Sequence, residues 1–340
     1  MDFFYGGTMN ANEEGDDVIS VGLQHVVEAS SHWLELFDKA FGQEGVPFQQ
    51  RPLKAAMWLV KDGILEISGS SKEKYWSQPW FTEIVISITT WYKDRYGAAA
   101  FASEKDYLGG VILLRGTPVR LDIRRIVDKV QIEGETAWMI YPDAIHESES
   151  TLTFFASKPK LDSLSTADQA KLVANVATIV SRTRRINLAL QSADILTPEG
   201  QRLRDGVWVH VEQAVNNIAG LNSAVASIGA WELHLAVEKA FKVFLLQHGN
   251  PNLKALGHDM AQLNTAAEAR GLNVDPSALK KLPHWKKASR SRYSQDEMAL
   301  ADVVAIYDVA LQLMAEITEK LSREVVLNNA GFLLKKPDWV

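Results

Sequence analysis

The chain has 340 residues, 46% hydrophobic and 23% charged, with a mean hydropathy of −0.10, which suits two or three compact globular units and excludes general disorder. No cysteine is present, which removes disulfide scaffolds, thiolate zinc sites and cysteine nucleophiles and fits a reducing cytoplasm. A net charge of −6 argues against a nucleic-acid coat; no apolar run is long enough to span a bilayer, and the acidic start (Glu13, Glu14, Asp16, Asp17) lacks the pattern of a secretory signal.

Residues 1–17 are rich in Gly, Asn and acids and read as a mobile lead-in. Val26, Trp33, Leu34, Phe37 and Phe41 recur at helical steps until Gly42 and Gly45, which predicts one amphipathic helix. Residues 54–67 are open between a short helix running into a strand and a hairpin turning at Asp62-Gly63. Across 77–96 a Ser cap, Pro79 in the first turn and a stripe of Trp80, Ile84, Ile88 and Trp91 predict a core helix. Trp33, Trp58, Trp76, Trp80, Trp91 and Trp138 are assigned to the core of this first domain. The period then changes, and 111–114, 119–123, 130–132 and 137–141 read as short strands joined by tight turns, entered through Gly109-Gly110. The expectation is an α+β domain over 18–160 with a small antiparallel sheet, closing where Ser, Lys and Pro gather.

From Thr166 the chain turns helical. A connecting helix within 161–196 carries Leu172, Val176, Ile179 and Ile186, with Arg182, Arg184 and Arg185 beside them as either a phosphate site or a solvated face. Thr197-Pro198-Glu199 starts one helix and Asn222-Ser223 caps the next, whose apolar face is Leu233, Val237, Ala240, Phe241 and Phe244. His234, Glu238 and Lys242 fall four apart on the opposite flank. Taken alone, Glu238 one turn before Lys242 is surface support worth roughly 0.2–0.5 kcal/mol. Asn250-Pro251 ends that helix, and Gly257-His258-Asp259 opens a short one in which Asp259 either caps the N-terminus or joins His258 in holding an anion. Lys280, Lys281, His284, Lys286, Lys287, Arg290 and Arg292 crowd around Trp285 and Tyr293, either as a solvated loop or as the cations and aromatic faces that phosphate contact and base stacking need. Leu300, Val304, Tyr307, Leu311, Met314, Ile317 and Leu321 stripe a last long helix, with apolar surface to spare for a second subunit; 326–340 reads as a tail.

In the order of these features, the Glu238/Lys242 helix, Gly257-His258-Asp259-Met260 and then Arg290-Ser291-Arg292-Tyr293, residues 197–325 resemble the HEPN family of helical domains. The resemblance implies an all-α helical bundle and a homodimer through its long helices, with no cofactor and no metal. Its activity would be RNA, nucleotide or protein binding, or metal-independent RNA cleavage, in bacterial stress response or phage defence. The implied ligand contacts are Arg290, Arg292, Tyr293, Lys242, Glu238, His258 and Asp259. RNA-cleaving members carry an arginine followed a few residues later by a histidine that moves the 2′-hydroxyl proton. Here Arg292 is followed by Glu297 where that histidine is expected, and a carboxylate repels phosphate unless its pKa is raised. Arg204 and His210 have the spacing but lie on the bundle's first helix; with Arg292 and Glu297 they complete the catalytic candidates. Neither H-E-x-x-H, a P-loop nor G-x-S-x-G occurs.

Overall fold

The computed structural model describes residues 30–67, 70–97, 107–157, 161, 164–195, 197–249, 252–293 and 296–335. The lead-in at 1–17, Val26 and Asn250-Pro251 lie outside them. The chain divides into two compact units, one up to residue 104 and one over 105–336.

In the first unit α1 (Ser31–Gln43), α2 (Arg51–Trp58) and α3 (Pro79–Tyr96) enclose a core built on Leu34, Phe41, Ala55, Leu59, Ile84, Ile88 and Tyr92. Neither expected form of 54–67 occurs. The helix continues from α2 into one π turn at Leu59–Gly63, which Ile64 N closes by donating to Leu59 O at 2.8 Å, and this keeps Leu59 and Val60 on the buried side. Ser77 does not cap α3: its Oγ donates to Lys74 O, and Gln78 holds the cap position. The tryptophans are only in part core: Trp58, Trp80 and Trp91 are half-buried and pack against this cluster, Trp33 and Trp76 are exposed, and Trp138 is an exposed residue of the other unit; the buried rings include the smaller Phe41, Phe81 and Tyr92. Asp38 joins all three helices by accepting from Arg51 at 2.9 Å and from the Tyr96 hydroxyl.

The expected order holds: a small antiparallel sheet in the N-terminal half, then a mostly helical part. The boundary does not fall near 160, however, because the sheet shares its core with the helices. β1 (Tyr107–Leu114) and β2 (Thr117–Arg124) form a hairpin turning at Arg115-Gly116, both at positive φ (51° and 81°), as the twist of a two-residue turn requires. Its Leu108, Val111, Leu121 and Ile123 join one cluster with Val176, Val211, Phe241 and Tyr307. Gly109-Gly110 is strand interior and not a turn. Gly109 N donates to the Glu212 carboxylate, and a Cβ there would stand 2.7 Å from Glu212 Oε2. β3 (Val127–Ile132), β4 (Thr136–Ile140) and β5 (Gly331–Lys335) make a second antiparallel sheet with β4 in the middle, so part of the expected tail is its third strand.

The helical part comprises α4 (Thr166–Gln191), α5 (Pro198–Ala219), α6 (Ser223–Gln247), α7 (Leu253–Leu256), α8 (Met260–Glu268), α9 (Pro276–Lys281), α10 (Trp285–Arg292) and α11 (Leu300–Glu319). The caps are as read: Thr197 Oγ1 accepts from Gly200 N and Asn222 Oδ1 from Val225 N, each at 3.1 Å. α6 is the central rod, buried on almost every side, so His234 and Glu238 are interior groups and not a solvated flank. In α11 the stripe residues Tyr307, Leu311, Met314, Ile317 and Leu321 are buried in their own unit, and Leu300 and Val304 are half-buried. The α4 arginines disperse. Arg184, 1% exposed, makes a two-pronged bond to Glu149 (2.7 Å each) and donates to the carbonyls of Arg124 and Ala144, while Arg182 and Arg185 pair with Asp308 and Glu319.

Candidate functional site

One face of α6 opens into a cavity of about 600 Å³. α6 contributes Trp231, Glu238 and Lys239, α5 adds His210, and His258 enters from the turn before α8; α10 closes the rim with Trp285, Ser289 and Arg292, followed by Tyr293. The turn that delivers His258 is set by Gly257 at φ 55° and by Asp259, whose carboxylate caps α8 by accepting from Ala261 N at 2.9 Å.

Two histidine–glutamate pairs face this space. His258 Nδ1 donates to Glu238 Oε2 at 2.7 Å, and the other Glu238 oxygen accepts from Lys242 Nζ at 2.6 Å. Glu238 is buried, so the charge it places in the protein is met on both oxygens by these two donors. The pair is therefore interior rather than surface support. From α5, His210 Nδ1 donates to Glu232 Oε2 of α6 at 2.6 Å. With Nδ1 engaged in both rings, each imidazole has an Nε2 that bonds to none of the described residues. Behind them His234 is fully buried, stacks parallel to Trp231 with ring centroids 6.0 Å apart, and donates from Nε2 to His258 O at 3.1 Å. Burial pushes its pKa below the ordinary histidine value, which the His258 carbonyl only partly offsets.

Arg292 is the cation at the mouth. Its guanidinium carbon lies 6.0 Å from the Trp231 ring centre and 5.8 Å from that of Tyr293, and no carboxylate pairs with it among the described residues. Lys239 is likewise without a carboxylate partner among them, and lies over Gly206 of α5, where a Cβ would meet its Nζ at 2.5 Å.

Of the residues singled out from sequence, Arg292, Tyr293, Glu238, His258 and His210 come together here, with Lys242 behind Glu238. Others go elsewhere. Arg290 pairs with Asp296 at 3.1 Å, Arg204 with Asp205 at 2.8 Å, and Glu297 accepts from Ser223 Oγ at 3.2 Å. Asp259 serves as a cap and not in an ion site with His258. Arg290-Ser291-Arg292-Tyr293 closes α10, where the helix C-terminus favours cations, and α11 begins only at Leu300. Lys239 and Trp231 were missed. Their only sequence signal is spacing on the Glu238 face of α6, which core residues share.

No family model, curated protein or solved structure matches the chain.

Proposed function

We propose that the α6–α10 cavity binds a phosphate-bearing ligand, a nucleotide or one nucleotide unit of RNA. The phosphate would meet Arg292 and Lys239, and the base would stack on Trp285 and Tyr293. The observation that carries this reading is Arg292, held between two aromatic faces at the mouth of a cavity and left without a carboxylate partner among the described residues. A volume of about 600 Å³ suits one nucleotide. The HEPN resemblance agrees with an RNA or nucleotide ligand, and the homodimer and the defence or stress setting belong to the proposal on that ground alone.

A second reading, cleavage of RNA without a metal, is favoured by the paired imidazoles: one could take the 2′-hydroxyl proton and the other protonate the leaving oxygen, with Arg292 at the phosphate. Purified protein incubated with a mixed RNA pool in EDTA, scored for retention at low and moderate salt and for cleavage, tests both. Salt-sensitive retention without cleavage supports binding alone. Cleavage lost in both His210→Gln and His258→Gln supports the second reading. Intact, unbound RNA, together with no binding of mononucleotides, removes both.

A further inference from the structure

A second concave site lies in the same unit and shares no lining residue with the first. It is a cavity of about 450 Å³ bounded by Arg185 of α4, Ala315 and Glu319 of α11, and Leu321, Arg323 and Val326 beyond α11. Two guanidinium groups and one carboxylate line it, so it carries a net positive charge. Arg185 bonds to Glu319 at 2.5 Å, whereas Arg323 reaches only neutral acceptors among the described residues, Asn328 Oδ1 at 3.1 Å and Thr318 O at 3.4 Å. Burial lowers the basicity of Arg323, and Arg185 adds to the effect while Glu319 opposes it. Glu319 is one carboxylate shared by two guanidinium groups, so one positive charge in this partly buried cavity is left for an anion to answer. Arg323 is held in place all the same, by an antiparallel backbone bridge to Ala193.

We propose that this cavity is an oxyanion site, in which Arg185 and Arg323 grip the phosphate or carboxylate head of a small organic acid while Ala315, Leu321 and Val326 cover its apolar part. Glu319, bonded to Arg185, competes with the ligand for it.

The test is titration calorimetry of the full chain with inorganic phosphate and with butyrate at constant ionic strength, on the parent and on Arg185→Gln, Glu319→Gln, Arg323→Gln and Arg292→Ala. At least one probe binds saturably in a component that survives Arg292→Ala, and which one binds there identifies the head group; phosphate held in the α6–α10 cavity is a separate component that Arg292→Ala removes. Arg185→Gln and Arg323→Gln weaken that binding about tenfold, as loss of one charged contact implies. Glu319→Gln tightens it, because Arg185 is released, and Arg292→Ala leaves it unchanged. Should Arg323→Gln fail to fold, Arg185→Gln and Glu319→Gln decide the matter. No saturable binding of either probe overturns the proposal, as does binding indifferent to Arg185→Gln or abolished by Arg292→Ala, which would put the ion in the other cavity.

Discussion

At the scale of single residues, Arg290 and Arg292 are two positions apart and meet opposite surroundings. Arg290 is neutralised by Asp296, and Arg292 faces rings and open space. Arg292→Ala is therefore expected to lose about 1.5–3 kcal/mol of RNA or nucleotide binding, the worth of charged hydrogen bonds. Arg290→Ala should lose well under that, and filter retention at matched salt separates the two. If Arg290→Ala is the more damaging substitution, the site is misplaced. His234 gives a pH prediction. Its folded pKa lies below the unfolded value of 6.5, so beneath that pH the unfolded chain takes up a proton that the folded chain refuses. Unfolding is then favoured as pH falls, and stability contributed by the neutral ring is present above 6.5 and lost on the acid side. Thermal midpoints from pH 7 to 5 should drop less steeply in His234→Gln, which keeps a donor for His258 O. Parallel curves for the two proteins would rule this out.

At the scale of elements, α5 and α6 form an antiparallel pair whose close approach rests on two glycines with different consequences. A Cβ at Gly229 would press on Ile218 Cγ1 at 3.0 Å and Ala214 O at 3.2 Å, neither free to retreat, so Gly229→Ala is expected to cost about 1–3 kcal/mol in a urea titration. At Gly206 the obstacle is only the flexible end of Lys239. Gly206→Ala should raise stability by about 0.5–1 kcal/mol through helix propensity. It should also weaken ligand binding by displacing the ammonium from the cavity. A variant that gains stability and binds as before would remove Lys239 from the site.

At the scale of the molecule, the β1–β2 hairpin and the helices are one folding unit, because Leu108, Val111, Leu121 and Ile123 complete the core of α4, α5, α6 and α11. A fragment covering 105–336 is expected to unfold in one cooperative transition by circular dichroism, while 197–325, the span of the HEPN resemblance, should fail to fold for want of that core. Arg184 is the polar counterpart of this union. Arg184→Ala would strand Glu149 and two carbonyls and should cost about 3–5 kcal/mol in the same fragment.

The sequence by itself determined the local order: the helix starts at Thr197 and Asn222, the strand period from 111 to 140, and the presence of Glu238, His258 and Arg292 in a helical region. Caps, period and turn residues act over a few neighbours, so they can be read from neighbours alone. Tertiary structure alone decided which charges stay free and which groups are interior. The partners Asp296 for Arg290 and Glu149 for Arg184, the union of His210 with His258, and the burial of Glu238 all depend on which segments pack against each other. The same holds for the sheet: its strands are legible from their apolar period, but the domain they join is set by the apolar face they bury against, and that face is built by residues distant in the chain such as Val176, Val211, Phe241 and Tyr307.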